Sequence, residues 1–397
     1  MTYTATGNAD LEAKVARVVE GIVTRIATEL KPASLFLTGS FGRGEATVRE
    51  RDGRPEFLSD LEVVAVSRRY PWQQLTGQSD RLARELHRTT AIEVGISGLA
   101  LSLAVACPFL FRALRPTMMN YDLKYGSQLF HGTDIRTRLP AWTPEDVPLW
   151  EGLRLLFNRM SAALWMLYRG GFTAGEKTFG IYKVVLACQD VLLLGHGRYD
   201  SSYAARLALT KQLLEESSGE PYDTLKPFLP LFEAATRFKL TGNGALPDLE
   251  DLWAGTARLA DIVLRDAVQR DLGILYSDYL DFQSRYAGGR GLNRHTQARF
   301  GCPAYQNGLT LGKMMLAPYR KVPWGYLTRQ GRPWSRIVYS VIPLVFFGRQ
   351  PDGTVHRPYL ERAGRVLAGF GGLASSLAPD SPEAVAAELY RLIYFSC

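Results

Sequence analysis

Residues 34–45 read Ser34-Leu35-Phe36-Leu37-Thr38-Gly39-Ser40-Phe41-Gly42-Arg43-Gly44-Glu45, and residues 58–64 read Leu58-Ser59-Asp60-Leu61-Glu62-Val63-Val64. The first stretch is a short apolar strand that runs straight into a glycine turn and a helix start. Free backbone N–H groups at such a turn form an anion site, and glycines let a phosphate approach the main chain. Gly39, Ser40 and Gly42 are the turn residues of that site. Ser40 adds a hydroxyl and Arg43 a permanent cation. Neither the GxxxxGK[ST] loop nor the dinucleotide GxGxxG pattern is present.

In the second stretch Asp60 and Glu62 stand two apart at the start of a strand. A period of two puts both carboxylates on one sheet face, with Leu61 and Val63 on the other. Adjacent carboxylates repel unless a divalent cation neutralises them. Two oxygen donors plus substrate phosphates suit Mg²⁺, with Mn²⁺ as the alternative. Glu93 lies in Ala91-Ile92-Glu93-Val94, which reads as a buried strand over 90–96. An acid there is costly unless paired or metal-bound. If that strand neighbours the one bearing Asp60 and Glu62, three carboxylates meet at one sheet end and face a phosphate-binding turn. That is a two-metal phosphoryl-transfer arrangement.

Outward from these motifs, Val15, Val18, Val19, Ile22, Val23, Ile26 and Leu30 recur at helical spacing. They predict a helix over 10–30, with Asp10 as its N-cap and Pro32 ending it. A second helix is predicted over 77–88. Alternating helix and strand over the first 140 residues indicates an α+β domain with a small mixed sheet and flanking helices. After Pro148 the pattern becomes helical only. Trp150, Leu153, Leu156, Phe157, Met160, Leu164 and Leu167 form one stripe; Ile181, Val184, Val185, Cys188, Val191 and Leu192 form another. Further helices are predicted at 203–216, 224–238, 249–285 and 382–394. The expected organisation is a catalytic domain over 1–145, a helical bundle over 146–285 and a basic, aromatic C-terminal segment over 286–397.

Composition narrows the class. The 397 residues are 46% hydrophobic and 22% charged, which supports a packed core and excludes disorder, collagen and disulfide scaffolds. Cys107, Cys188, Cys302 and Cys397 lie far apart, the opening decapeptide is polar, and the longest apolar run, 99–111, falls short of the roughly 20 residues a bilayer span needs. The expectation is a cytoplasmic protein. The charge is uneven. Residues 286–397 hold 14 Lys/Arg and 5 Asp/Glu, and 282–350 contain no acid at all. Such a segment suits an anionic membrane surface, RNA, or a basic subdomain packed on the bundle with its aromatics inside.

The combination of Gly39-Ser40, Asp60-x-Glu62 and a third acid on a later strand resembles the DNA polymerase beta-type nucleotidyltransferase superfamily. The resemblance covers residues 10–140; the bundle fits by class alone and the tail not at all. It implies a nucleotidyltransferase that moves a nucleoside monophosphate from an NTP such as ATP to an acceptor and releases pyrophosphate. Asp60 and Glu62 would hold the metals, Glu93 would complete the site, and Gly39 and Ser40 would hold the terminal phosphates. Lys183 would be a triphosphate contact from the bundle. The 19-residue spacer between Ser40 and Asp60 exceeds the usual motif and requires an extra loop over 47–56. A tail of net positive charge, if it lines the site, disfavours polycationic acceptors and favours a neutral or anionic one.

Plainer readings stand beside these. Asp60 can cap a turn after Ser59, Arg43 and Glu45 can form a surface ion pair, and Lys183 can occupy a solvated helix face. The five histidines are scattered without zinc spacing,. The rival functions are an inactive nucleotide-binding or interaction protein of the same fold, and a basic membrane-surface or RNA-binding protein.

Overall fold

The computed structural model describes residues 2–67, 72–100, 116–244, 246–288, 334–368 and 381–396. The chain is α+β, and its described residues divide into two compact units. Unit 1 comprises 1–148, 196–216 and 230–245; unit 2 comprises 149–195, 217–229 and 246–397. The units therefore do not follow consecutive segments. Two stretches expected in the bundle return to the N-terminal unit, and the reason lies in the buried polar contacts described below.

Unit 1 is built on a four-stranded sheet of order β5-β4-β1-β6, with β1 Ser34–Thr38, β4 Leu61–Ser67, β5 Val94–Ala100 and β6 Gln128–Gly132. β1 runs antiparallel to β4 and β6, and β4 runs parallel to β5. All five residues of β1 are buried, as expected for a central strand covered on both faces. On one face lie α1 (Ala9–Leu30) and α3 (Trp72–Thr90). Val15, Val19, Ile22, Val23 and Ile26 of α1 and Leu82 and Leu86 of α3 join Leu35, Leu37, Leu61, Val63 and Ala65 in a single core. Burial of such side chains stabilises by about 1.5–3 kcal/mol each.

Local chemistry explains the boundaries. Asn8, rather than Asp10, caps α1: its side chain accepts the N–H groups of Asp10 and Leu11, leaving Asp10 in the first turn, where its charge suits the helix dipole. α3 runs on to Thr90, whose hydroxyl donates to the Leu86 carbonyl at 2.7 Å. β5 therefore starts at Val94, four residues later than the apolar pattern suggests. The 47–56 insertion is a β-hairpin, β2 (Val48–Arg51) and β3 (Arg54–Phe57), turned by Asp52-Gly53 with φ of 52° and 73°. α2 (Gly39–Gly42) is one turn, and α4 (Met118–Tyr125) precedes β6. The returning helices are α7 (Tyr203–Glu216) and most of α9 (Leu229–Thr241).

Unit 2 is helical: α5 (Leu149–Tyr168), α6 (Ala174–Gly195), the one-turn α8 (Tyr222–Leu225), α10 (Leu249–Leu272), α11 (Tyr279–Gly288), α12 (Trp334–Gly348), α13 (Arg357–Ala368) and α14 (Pro382–Ser396). The predicted stripes form most of its core, except that Trp150 and Leu167 at the ends of the first are half-buried. Leu153, Leu156, Phe157, Met160 and Leu164 of α5 and Ile181, Val184, Val185, Cys188, Val191 and Leu192 of α6 are all buried. A side chain on Gly152 would strike Leu194 and Val191, and one on Gly180 would strike Met166, so the two helices run antiparallel in close contact. Among the described residues, α6 is long and apolar enough to cross a membrane, yet nearly all of that stretch is buried inside the protein.

The described part of the basic tail belongs to this unit. α12 lies against α11 and α5, with Val338, Val341, Ile342, Leu344, Val345 and Phe346 buried. Several of its cations are used internally: Arg336 donates to the Tyr286 carbonyl at 2.6 Å, and Arg349 makes two hydrogen bonds to Glu250. Residues 289–333, which carry most of the acid-free stretch, lie outside the described residues.

Candidate functional site

The site follows from the register of three strands. Thr38, the last residue of β1, stands opposite Glu62 of β4, and Glu62 stands opposite Gly95 of β5. The Thr38 hydroxyl donates to the Glu62 carbonyl at 3.2 Å. Leu61 and Val63 are buried toward α1, whereas Asp60 and Glu62 are exposed, the alternation expected from a period of two. Farther along the same face Val64 and Val66 are buried, so the acids occupy the open starting end of the strand. A side chain added at Gly95 would meet nothing within 4 Å, which leaves space beside Glu62.

The Gly39 turn closes against that carboxylate. Gly39 has φ of +60°, and a Cβ built on it would lie 2.1 Å from Glu62 Oε2 and 3.0 Å from its Cδ. Glycine is required here twice, for the left-handed backbone and for the volume that the Glu62 carboxylate occupies. Ser40 is buried, and its carbonyl accepts the Glu45 N–H at 2.8 Å. Thus Gly39, Ser40 and Glu62, distant in sequence, share one corner of the sheet, with Asp60 one pleat away.

Gly42 serves a different purpose. A Cβ there would come within 2.3 Å of the Leu37 carbonyl oxygen and 3.0 Å of that of Gly126. Its missing side chain lets α2 fold back onto the end of β1.

Glu93 is placed differently from expectation. The Leu61 N–H donates to the Glu93 carbonyl at 2.8 Å, and the parallel register of Leu61 with Val94 puts Glu93 beside Asp60. The acid precedes the strand, however, and is exposed, not embedded in an apolar core. Among the described residues no group of three or more His, Cys, Asp or Glu side chains is gathered closely enough to hold a metal ion. The neighbouring pair Asp60 and Glu62 has the donor chemistry for a divalent cation that also takes substrate phosphates; the trio is not assembled.

Arg43 points away from the turn. Its side chain is 7% exposed, with Nη1 3.1 Å from Asp122 Oδ2, Nε 3.5 Å from Glu45 Oε2 and the guanidinium carbon 5.1 Å from the Tyr203 ring centroid. Burial is the largest influence and works against its charge, but Asp122 together with the Tyr203 and Tyr199 hydroxyls outweighs it, so its pKa is raised. The Arg43–Glu45 pair predicted at the surface is therefore a buried one. Glu45 in turn caps α7: it accepts from the Ser202 hydroxyl at 2.7 Å, the Tyr203 N–H at 2.9 Å and the Ala204 N–H at 3.3 Å. Tyr199 adds its hydroxyl to Asp122 at 3.1 Å.

A second tie comes from α9. Lys239 is buried, with Nζ 2.8 Å from Ser59 Oγ and 3.2 Å from Thr47 Oγ1. These ties bring 196–216 and 230–245 into unit 1. Sequence reasoning missed Glu45, Asp122 and Lys239 in these roles, since no local spacing announces partners 77 to 192 positions apart. Lys183 stands on α6 in unit 2, its ammonium 4.6 Å from the Phe179 ring centroid.

Comparison with known protein families, with curated proteins and with solved structures found no match for this chain.

Proposed function

We propose that the chain is a Mg²⁺-dependent nucleotidyltransferase that moves a nucleoside monophosphate from an NTP to an acceptor hydroxyl or phosphate. The observation that carries this reading is the closure of the Gly39-Ser40 turn onto Glu62 at the open end of β4, one pleat from Asp60. It puts a glycine turn suited to phosphate beside two carboxylates suited to a divalent cation, as the resemblance to the polymerase beta-type superfamily requires.

Asp60 and Glu62 would hold the cation, which when bound neutralises phosphate charge and draws electron density from the phosphorus being attacked. The chain's own contribution is positional. The Gly39-Ser40 main chain would hold terminal phosphate oxygens, and Asp60 and Glu62 would fix the position of the cation that the reacting phosphate meets. Glu93 is kept outside the metal set in this proposal and stands at its rim. Arg43 is left out of the phosphate contacts because its guanidinium is engaged by Asp122 and Glu45. The acceptor is proposed to be neutral or anionic, on the charge of the tail alone.

Calorimetric titration with each of the four NTPs, with and without Mg²⁺, tests the reading. Metal-dependent binding of one NTP that disappears in the Asp60→Asn/Glu62→Gln variant supports it. No binding of any NTP by the wild-type chain refutes it.

A further inference from the structure

We infer that Lys239, on the mid-chain helix α9, is a positioning residue for the strand that carries Asp60 and Glu62. It acts through the Ser59 hydroxyl and rests on the metal–nucleotide reading given above. The geometry is a closed circuit at the base of the hairpin insertion. The Thr47 carbonyl accepts the N–H groups of Leu58 and Ser59 at 3.0 and 3.2 Å. The Thr47 N–H donates to Ser59 Oγ at 2.8 Å, and the Thr47 hydroxyl donates to the Lys239 carbonyl at 2.5 Å. The Lys239 ammonium then donates to both hydroxyls, with the Tyr203 ring centroid 5.3 Å away.

Each end of the hairpin, residue 47 and residues 58–59, is thereby fixed to the other and to α9. Asp60 is the next residue along the chain, so the circuit sets where the carboxylate strand begins. A buried ammonium is an expensive way to fill space, because an apolar side chain of similar length would avoid the desolvation cost. Its three donors do what an apolar stem cannot: they fix the rotamers of two hydroxyls and, through them, the backbone leading into β4. Supporting groups around metal ligands commonly change metal affinity about 10–100-fold when removed. The same logic applies here, because Asp60 directly follows the anchored serine.

The full-length chain is compared as wild type, Lys239→Met, Ser59→Ala and the double variant. Lys239→Met keeps the aliphatic stem and removes the donors; Ser59→Ala removes one hydroxyl and keeps the fold if Lys239→Met does not. Two readouts are taken: Mg²⁺-dependent binding of ATP, GTP, CTP and UTP, and hydrogen–deuterium exchange of peptides covering 58–64, with 9–30 as control. Each single variant is expected to weaken nucleotide binding at least about tenfold. The double variant is expected to do little more, because both lesions break the same link. Exchange over 58–64 should quicken while 9–30 stays unchanged. Binding within about twofold of wild type in both single variants, or losses that simply add, overturns the inference. If wild type binds no NTP, the nucleotide reading fails separately. Exchange then decides: quickened exchange confined to 58–64 upholds the positioning of the strand, and unchanged exchange overturns it.

Discussion

Substituting Gly39 by alanine separates a backbone cost from a functional one. At φ of +60° an alanine loses about 1–2 kcal/mol relative to glycine, because its Cβ crowds the following carbonyl. The new Cβ also meets Glu62 Oε2 at 2.1 Å, the far end of an exposed side chain, and rotation of that carboxylate is the expected response. The stability cost should therefore stay near the backbone value. For a unit of this size each kcal/mol corresponds to about 2–4 °C in melting temperature, so the expected fall is roughly 2–8 °C. The displaced carboxylate should cost far more in function: Mg²⁺-dependent NTP binding should vanish from calorimetry. A thermal melt and a titration of Gly39→Ala, Glu62→Ala and the double variant check both halves.

If Glu62 turns aside freely, Gly39→Ala lowers the melting temperature equally in both backgrounds, with a coupling below about 0.5 kcal/mol. A loss above about 4 kcal/mol that Glu62→Ala relieves would mean that Glu62 is held rigidly over the turn, and the backbone account of the cost would fall. A variant that binds NTP as tightly as wild type would refute the claim that the turn and Glu62 form one site.

Three further outcomes follow from the buried groups. Glu45→Ala removes the cap of α7 and one carboxylate from Arg43, so urea unfolding should show a loss of about 3–5 kcal/mol; Glu45→Gln, which still accepts hydrogen bonds, should lose less, and equal losses would deny the charge a role. Burial and the nearby Glu20 push the Tyr3 phenol up to about 12. The folded state thus favours the neutral form: this contribution is complete below pH 10 and declines as pH rises from 10 toward 12. Tyr3→Phe should flatten the stability profile across that window, and an unchanged profile would contradict the assignment. The Cys188 thiol is fully buried and its pKa is raised by that burial, so its peptide should escape iodoacetamide in the native protein and react once urea unfolds it; native labelling read by mass spectrometry would show that α6 is not a core helix.

How far the sequence reaches depends on whether an element's signal is local. The helix over 9–30 is legible because its buried apolar residues recur at fixed spacing, and strands β1 and β4 because each is a short, mainly apolar run. β5 is displaced because Thr90 and Ile92 have strand-like side chains, while the Thr90 hydroxyl bond to Leu86 keeps the helix going. That displacement is what removes Glu93 from a buried strand. The hairpin over 48–57 is hidden by its charges, since Arg49, Glu50, Arg51, Arg54 and Glu56 mask any alternation. Only the Asp52-Gly53 pair signals the two-residue turn. β6 is a half-exposed edge whose alternation is weak.

The site shows the same division more sharply. Gly39, Ser40, Asp60 and Glu62 stand out in the sequence because the glycine turn and the Asp-x-Glu pair are each local patterns, whereas the meeting of Gly39 with Glu62 is not local. Arg43 and Glu45 belong to the same glycine-rich motif, and nothing local distinguishes an arginine that meets a ligand from one that meets the protein. The distinction is made by Asp122, Tyr199, Tyr203 and Ser202, contributed from α4 and from the approach to α7. A buried guanidinium is tolerable only with such partners. The motif therefore has two sides: Gly39 abuts the exposed Glu62 at the open end of β4, while Arg43 and Glu45 turn inward to hold helices returned from mid-chain. Changing the outward residues should alter ligand binding at small cost in stability. Changing the inward ones should cost stability first, and loss of binding in those variants carries no information about contact with a nucleotide.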